Sequence, residues 1–164
     1  MSSSDRRTFL FGLSALALAG CGFRPAYGPG GAAEGLRDSI AVDPPDTRNG
    51  FALVERLEAR LGRAEAPRYR LSYRTSIDRE GLGVSAVQET TRYNLVGGLD
   101  FQLRDLGSGE IVQSGRVAAF TAYSATGSTV ATLAAERDAE RRLMVMLADR
   151  LVTRLIATAD DSGP

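Results

Sequence analysis

The segment from Pro67 to Asp78 constrains the fold more than any other part of the chain. Its odd positions carry aromatic, aliphatic or threonine side chains: Tyr69, Leu71, Tyr73, Thr75 and Ile77. The even positions between them are arginine, serine or aspartate. Such strict alternation predicts a β-strand with one face in the core and the other in water. A half-buried strand needs neighbouring strands and a second layer of structure over its apolar face.

A second strand is expected over residues 87–103, which again place apolar side chains at odd positions. The sequence Glu-Gly-Leu-Gly at residues 80–83 predicts the turn that separates it from the first strand. Inside the second strand, the pair Gly97-Gly98 predicts a bulge or the close approach of another element. These two strands should therefore pair antiparallel across a short connection.

A third strand is expected over residues 111–123, after a hairpin turn at residues 107–109. Its register stays open, because either set of alternate residues could face the core. Gly115 could mark a change of face within the strand. The three strands form a meander of antiparallel neighbours.

The part before this meander predicts a short strand and a helix. Residues 36–42 form the strand candidate, which Pro44-Pro45 ends. The helix runs to about residue 61, with one of three side chains as its cap: Asp46, Thr47 or Asn49. Its apolar side chains recur at three- and four-residue spacing: Phe51, Val54, Leu57 and Leu61. Gly62 is placed to end it.

A long helix is expected after the meander, capped by Ser128 and running from about residue 129 to 157. One stripe of it is apolar and the rest is charged, with Asp138 and Arg142 at a favourable four-residue spacing. The order strand, helix, three strands, helix predicts an α+β fold. We expect a two-layer sandwich, with two helices packed on one face of a roughly four-stranded, mostly antiparallel sheet and a right-handed crossover at its start.

The first twenty residues predict a cleaved signal peptide. Arg6 and Arg7 precede an apolar stretch that runs from Phe9 to Ala19, which is shorter than the roughly 20 residues of a membrane span. Residues 6–10 also resemble the twin-arginine export motif, and export by that route or by general secretion stays open. The predicted organisation is a signal peptide at 1–20, a flexible tether at 21–35, one domain at 36–158 and a disordered tail at 159–164.

The signal peptide ends in Leu18, Ala19, Gly20 and Cys21, which resemble the lipobox of bacterial lipoproteins. This resemblance implies cleavage before Cys21 and attachment of a diacylglycerol and an N-acyl chain to it. Several acyl chains anchor a protein firmly to a membrane. Gly22 stands where an aspartate often retains lipoproteins at the inner membrane, which favours the periplasmic face of the outer membrane.

The composition excludes several kinds of site. The chain has no histidine and one cysteine, so a Ser-His-Asp triad, a Cys-His pair and a histidine-ligated metal are impossible. We predict that the protein is not an enzyme, with no catalytic residue, no metal and no cofactor besides the lipid on Cys21. The net charge of zero gives no reason to expect a nucleic-acid partner.

Residues 21–28, Cys-Gly-Phe-Arg-Pro-Ala-Tyr-Gly, resemble the mature start of lipopolysaccharide-assembly lipoproteins of the LptE family, in their alphaproteobacterial form. The Thr-Arg-Tyr-Asn-Leu run at residues 91–95 and the Glu-Arg-Asp-Ala run at residues 136–139 fit the same family. The resemblance implies a non-enzymatic plug inside a large outer-membrane β-barrel, which it helps to assemble and to deliver lipopolysaccharide. The alternatives are an auxiliary lipoprotein of an ABC-type envelope lipid-transport system and a purely structural envelope lipoprotein.

Arginines on the polar face of the first long strand are the candidate contact residues. Arg68, Arg70 and Arg74 should project together, and Arg92, Arg104 or Arg116 could join them from neighbouring strands. Guanidinium groups grip phosphates in two-pronged geometry, and lipid A carries phosphates. The same arginines could instead contact the barrel wall, or form an ordinary solvated sheet face.

Overall fold

The computed structural model describes residues 31–84 and 90–161. Residues 1–30, which include the predicted signal peptide, the lipobox and Cys21, lie outside the described residues. The helices and strands in chain order are α1 (Ala32–Leu36), β1 (Ile40–Val42), α2 (Arg48–Leu61), β2 (Tyr69–Val84), β3 (Thr90–Asp105), β4 (Ile111–Ser124) and α3 (Thr129–Asp161).

The four strands form one sheet in the order β1-β2-β3-β4. β1 is parallel to β2, and the two other pairs are antiparallel. The helices α2 and α3 pack on each other and on the sheet, with α3 against β3 and β4 and α2 against β1. This arrangement confirms the predicted α+β sandwich with two helices on a mostly antiparallel, four-stranded sheet.

The alternate apolar residues of β2 and β3 lie in the core, as predicted. Leu71 of β2 lies opposite Leu103 of β3, and both are buried, as are Leu99 and Phe101. The predicted turn at residues 80–83 is wrong, because β2 continues to Val84 through register shifts around Gly83. The glycines there serve as irregularities within a strand, and the connection to β3 lies outside the described residues.

The glycine pair of β3 marks a close approach and not a bulge. The register runs unbroken through Gly97 and Gly98. A Cβ atom built on Gly97 would lie 2.9 Å from Cγ of Leu143, which is closer than carbon atoms pack. The missing side chain therefore lets α3 lie directly on the centre of the sheet.

In β4 the odd-numbered residues from Gln113 onward face the helices. Ala119 and Tyr123 are buried, whereas Phe120 is 67% exposed on the other side. The predicted change of face at Gly115 is wrong. The register shift lies at the start of the strand, where Leu103 pairs with Gln113 but Arg104 pairs with Ile111.

α2 begins and ends at predicted residues. The hydroxyl of Thr47 accepts a hydrogen bond from the Gly50 amide at 3.0 Å, and Gly62 adopts a φ of 80° after the last turn. The predicted core position of Phe51 is wrong, because Phe51 is 64% exposed. The buried stripe of α2 instead consists of Gly50, Leu53, Val54, Leu57 and Leu61.

Both ends of the domain differ from prediction. β1 begins at Ile40, and Leu36, predicted as its first residue, instead ends α1. Ala33 and Leu36 are buried in the core and α1 packs against α3, so ordered structure begins within the range predicted as the tether. α3 continues to Asp161, beyond the predicted start of a disordered tail at Ala159, because Ala159 still packs against the core.

α3 begins where predicted, since the Ser128 hydroxyl accepts a hydrogen bond from the Ala131 amide at 3.3 Å. The predicted pair of Asp138 and Arg142 forms, and Arg141 joins the same carboxylate at 2.9 Å. α3 supplies much of the core. Its fully buried side chains include Leu143, Met144, Leu147, Leu151 and Leu155.

Candidate functional site on the open face of the sheet

The side of the sheet that faces away from α2 and α3 carries the predicted arginines, and we call it the open face. It consists of the even-numbered residues of β2 from Arg70 to Glu80, of β3 from Arg92 to Arg104 and of β4 from Ser114 to Ser124. Across its middle the register sets Arg74, Asp100 and Arg116 side by side. Nearer the start of β2, Arg70 lies opposite Arg104. Three strands therefore contribute to one exposed polar surface.

Arg116 lies flat on this face and is held by two neighbouring side chains. Its guanidinium donates to Oδ2 of Asp100 at 2.8 Å and to Oγ of Ser76 at 3.1 Å. A Cβ on Gly98 would lie 2.1 Å from Nη2 of Arg116, so the glycine leaves the space that the guanidinium fills. The Arg116–Asp100 pair is about half exposed on both sides, and such pairs contribute about 0–1 kcal/mol.

Arg74 is an available cation in the middle of the open face. It is exposed, and its cross-strand neighbour Asp100 is already engaged by Arg116. Within residues 31–84 and 90–161, no hydrogen bond or ion pair engages its side chain. Arg74 lines a shallow depression together with Ser72, Gln102 and Ser114, all of them hydrogen-bonding side chains. Asp100 and Arg116 line the same depression and pair with each other, so an anionic group placed there would meet one unpaired guanidinium, that of Arg74.

Arg70 and Arg104 are directly opposite each other, and like charges at this distance repel. Arg70 reaches Asp43 only at 3.9 Å, while Arg104 donates to the Gly109 carbonyl. The pair therefore adds positive charge that internal carboxylates only partly balance. An anion could bind both guanidinium groups.

The two other predicted contact residues lie apart from this cluster. Arg68 turns toward the hairpin between β3 and β4, where it pairs with Asp105 at 3.5 Å and stacks on the Tyr69 ring. Arg92 lies opposite Ser124, eight residues and roughly 27 Å along β3 from Asp100. The structure thus brings Arg70 and Arg74 together with Arg104 and Arg116, but not with Arg68 or Arg92.

The hairpin beside Arg68 is organised by Asp105. Its Oδ1 accepts from the Gly107 amide at 2.8 Å and from the Ser108 amide at 3.0 Å. The backbone hydrogen bonds from Ser108 and Gly107, more than the charge of Arg68, hold the pKa of the Asp105 carboxyl below its usual value. Arg68 therefore belongs to a turn that ties β2 to the end of β3.

A cluster around Arg79 on the covered face was not predicted from the sequence. Arg79 pairs with Glu136 of α3 at 2.9 Å and lies over the ring of Tyr93, which stacks on Tyr123 at 5.3 Å. Burial, and then the nearby Glu136 carboxylate, raises the pKa of the Tyr123 phenol. The alternation of Pro67–Asp78, extended by one residue, would have placed Arg79 on this face. This cluster fixes the first turns of α3 to the far end of the sheet.

Residues 31–84 and 90–161 show neither a metal-binding cluster nor a helix that could span a membrane. These residues contain no group of three histidine, cysteine, aspartate or glutamate side chains that could hold a metal ion. In the same part of the chain, the helices are too short or too polar to cross a bilayer.

The family model for lipopolysaccharide assembly, LptE, matches residues 37–155. The chain belongs to the LptE family. This match confirms the resemblance seen in the sequence and extends it over α2, the whole meander and most of α3. Membership gives this LptE-family chain a role as a lipopolysaccharide-assembly lipoprotein, associated with the cell envelope and working with the assembly machinery. The family is non-enzymatic.

Solved structures share the fold of this LptE-family chain. A candidate lipoprotein from Caulobacter crescentus CB15 has a TM-score of 0.64 and 25% identity, and the match covers 81% of this chain and 98% of that one. Rare lipoprotein B from Shewanella oneidensis has a TM-score of 0.59 and 15% identity, with 75% and 96% covered. A minor lipoprotein from Acinetobacter baumannii has a TM-score of 0.52 and 19% identity, with 73% and 90% covered. No curated protein matches the sequence significantly.

Proposed function

We propose that this protein is anchored by lipid on Cys21 in the periplasmic face of the outer membrane, where it plugs the lipopolysaccharide-export β-barrel. In this role it assists assembly of the barrel and so supports lipopolysaccharide transport to the cell surface. The observation that carries the proposal is the LptE family match over residues 37–155. The dimensions and the chemistry of the open face support it.

The length of the domain suits a barrel lumen. β2 and β3 have 16 residues each and so extend about 53 Å, and the 33 residues of α3 extend about 50 Å. A bilayer including its headgroups is about 40–45 Å thick. A domain with strands and a helix of this length could occupy the lumen of a large barrel over its full height.

The polarity of the open face suits the same location. The lumen-facing residues of outer-membrane barrels are polar, whereas the lipid-facing residues are apolar. The half of the open face nearer the start of β2 presents arginine, serine, glutamine and aspartate across three strands, whereas the exposed Phe120 lies further along β4. The polar side chains of this face would lose their hydrogen bonds to water in contact with lipid. Against a polar lumen wall they could form hydrogen bonds with the wall instead.

Arg70 and Arg74 are the proposed contact residues on this face. Arg74 has no ion-pair partner in the described parts of the chain, and Arg70 has only a distant one. Their guanidinium groups could bind carboxylates of the barrel wall or phosphates of lipopolysaccharide, since both present two negatively charged oxygens that suit two-pronged contacts. The charge-reversal experiment below distinguishes these two ligands.

Affinity purification from detergent-solubilised outer membranes tests the proposal. Wild-type protein should recover a large β-barrel in stoichiometric amount. Arg74→Glu should reduce barrel recovery several-fold if Arg74 faces the barrel, or reduce only lipopolysaccharide retention if it faces the lipid. Arg137→Glu is the matched control, because Arg137 is also an exposed arginine but lies on α3.

Three outcomes would count against the proposal. Recovery of an inner-membrane permease complex without a barrel would favour the ABC-type lipid-transport alternative. Recovery of neither, with normal surface lipopolysaccharide after depletion of the protein, would favour a structural role. Wild-type recovery of barrel and of lipopolysaccharide by Arg74→Glu would remove the open face from the proposed contact.

A further inference from the structure

β4 is an edge strand whose outer side carries unpaired backbone groups. The Ala125 amide donates to the Thr91 carbonyl, and in the same register Tyr93 lies opposite Tyr123. In an antiparallel pair, alternate residues direct both backbone groups at the partner strand. The odd residues of β4 therefore bond to β3, and the even residues direct their N–H and C=O groups at the free edge. Such an edge is a template for pairing with another strand.

Three arginines of α3 reach around this edge and donate to its carbonyls. Nη2 of Arg142 donates to the Ala122 carbonyl at 3.3 Å, and Nη1 of Arg154 donates to the Arg116 carbonyl at 3.1 Å. Arg150 donates to the carbonyl of Ala118, between them. All three acceptors are even-numbered residues, as the pairing of β4 requires. We call these three side chains the arginine ladder.

The spacing of the ladder follows from helix and strand geometry. Four residues of α3 rise about 6 Å, and two residues of β4 rise about 6.8 Å. Every fourth residue of the helix can therefore face every second residue of the antiparallel edge. Residue 146, which lies four residues after Arg142 and four before Arg150, is a methionine. Met146 and Phe120 line one groove. An apolar contact thus replaces the guanidinium at that step.

The surroundings of the arginine ladder favour donation of its guanidinium groups to the backbone carbonyls of β4. Arg150 and Arg154 form no ion pair with any residue in 31–84 or 90–161, so their ordered guanidinium groups go to backbone carbonyls. A Cβ on Gly115 would lie 2.8 Å from Nη2 of Arg154, and the glycine therefore leaves room for that side chain. Ordering a long side chain costs conformational entropy. Arg150 and Arg154 therefore offset this cost by hydrogen bonds to the β4 backbone and not by ion pairs with carboxylates.

We propose that the arginine ladder prevents the β4 edge from pairing with β4 of a second copy of this chain. The guanidinium groups occupy the acceptors that an incoming strand would need, and their charge repels an identical edge. This inference concerns self-association and is independent of the proposed barrel partner. Its failure would leave the barrel proposal untouched.

Sedimentation velocity tests the ladder on the mature chain in one detergent, over a range of protein concentrations. The wild type should remain monomeric. The double variant Arg150→Ala/Arg154→Ala exposes two carbonyls and removes two like charges from the edge, and we expect its self-association to become at least about tenfold tighter. Hydrogen exchange should then slow at the amides of the even residues of β4, which lie at the new interface.

The matched control is Arg137→Ala/Arg141→Ala, which removes the same charge from the same helix without uncovering the edge. If the control associates to the same extent, the loss of positive charge explains the association, and the proposal is overturned. Adding Ala118→Pro to the double variant should restore the monomer, because residue 118 directs its N–H at the free edge and proline cannot donate. Circular dichroism confirms that each variant is folded. A folded double variant that stays monomeric like the wild type contradicts the proposal.

Discussion

The two faces of the sheet come from the same strands, but one packs against helices and the other is exposed. The covered face is apolar and meets α3 so closely that Gly97 has no room for a side chain. The open face carries exposed charges, among them the half-exposed pair of Arg116 and Asp100. The covered face therefore determines stability, and the open face is free to serve binding. Substitutions of adjacent residues on β3 can separate these two roles.

The largest expected difference is between Leu99 and Asp100. Leu99 is fully buried on the covered face, so Leu99→Ala should lower the free energy of unfolding by about 2–5 kcal/mol. Asp100→Ala removes only a half-exposed ion pair and should cost less than about 1 kcal/mol. Urea unfolding followed by circular dichroism measures both. Similar losses for the two variants would mean that the faces do not differ as described.

The glycine pair gives a second comparison with smaller effects. A methyl group at residue 97 would meet Leu143 in the core, and overpacking of this kind costs about 1–3 kcal/mol. A methyl group at residue 98 would meet the exposed, flexible end of Arg116, which can swing into solvent. Gly97→Ala should therefore lower the thermal midpoint much more than Gly98→Ala. The reverse order would place the close contact on the wrong face.

The Arg79–Glu136 pair tests how firmly the far end of the sheet holds α3. The Glu136 side chain is only 20% exposed, and Arg79 also stacks on Tyr93. A double-mutant cycle with Arg79→Met and Glu136→Gln should give a coupling of about 1 kcal/mol. A coupling near zero would mean that the aromatic contacts alone fix this end.

The smallest expected effect is the pH dependence from Asp105. Its pKa in the folded protein lies below its usual value, so the ionised form stabilises the fold. This contribution is fully present above the usual pKa and disappears as the pH falls through the lower, folded pKa. The difference in unfolding free energy between wild type and Asp105→Ala should therefore shrink in acid. A difference independent of pH would assign the role of Asp105 to packing.

Period-two alternation predicted the sheet and its covered face well, because burial of alternate side chains is a local signal. It failed where tertiary contacts decide the outcome. The glycines at residues 81 and 83 predicted a turn but lie within β2. Phe51 was predicted in the core but is exposed, and Leu53 is buried instead. Ser128 was predicted as a cap and Thr47 was one of three candidates, because a cap is set by neighbouring residues.

The candidate site was predictable only in part. Arg70 and Arg74 share a face because they are four positions apart on one strand, and an even separation puts both side chains on the same side of the sheet. The pairing of Arg116 with Asp100 depends on the register of β4, which the sequence left open. The arginine ladder depends on how α3 lies against β4, and a single sequence carries no signal for that packing.

We expect the open face to contact an outer-membrane barrel more closely than the helices do. Photo-cross-linking in living cells tests it directly, with a benzophenone amino acid at Gln102 of the open face and, as control, at the exposed Ala59 of α2. We expect the Gln102 probe to give a covalent adduct with a large β-barrel protein, and the Ala59 probe to give much less. A Gln102 probe without a barrel adduct, in cells where the Ala59 probe forms one, would contradict the account.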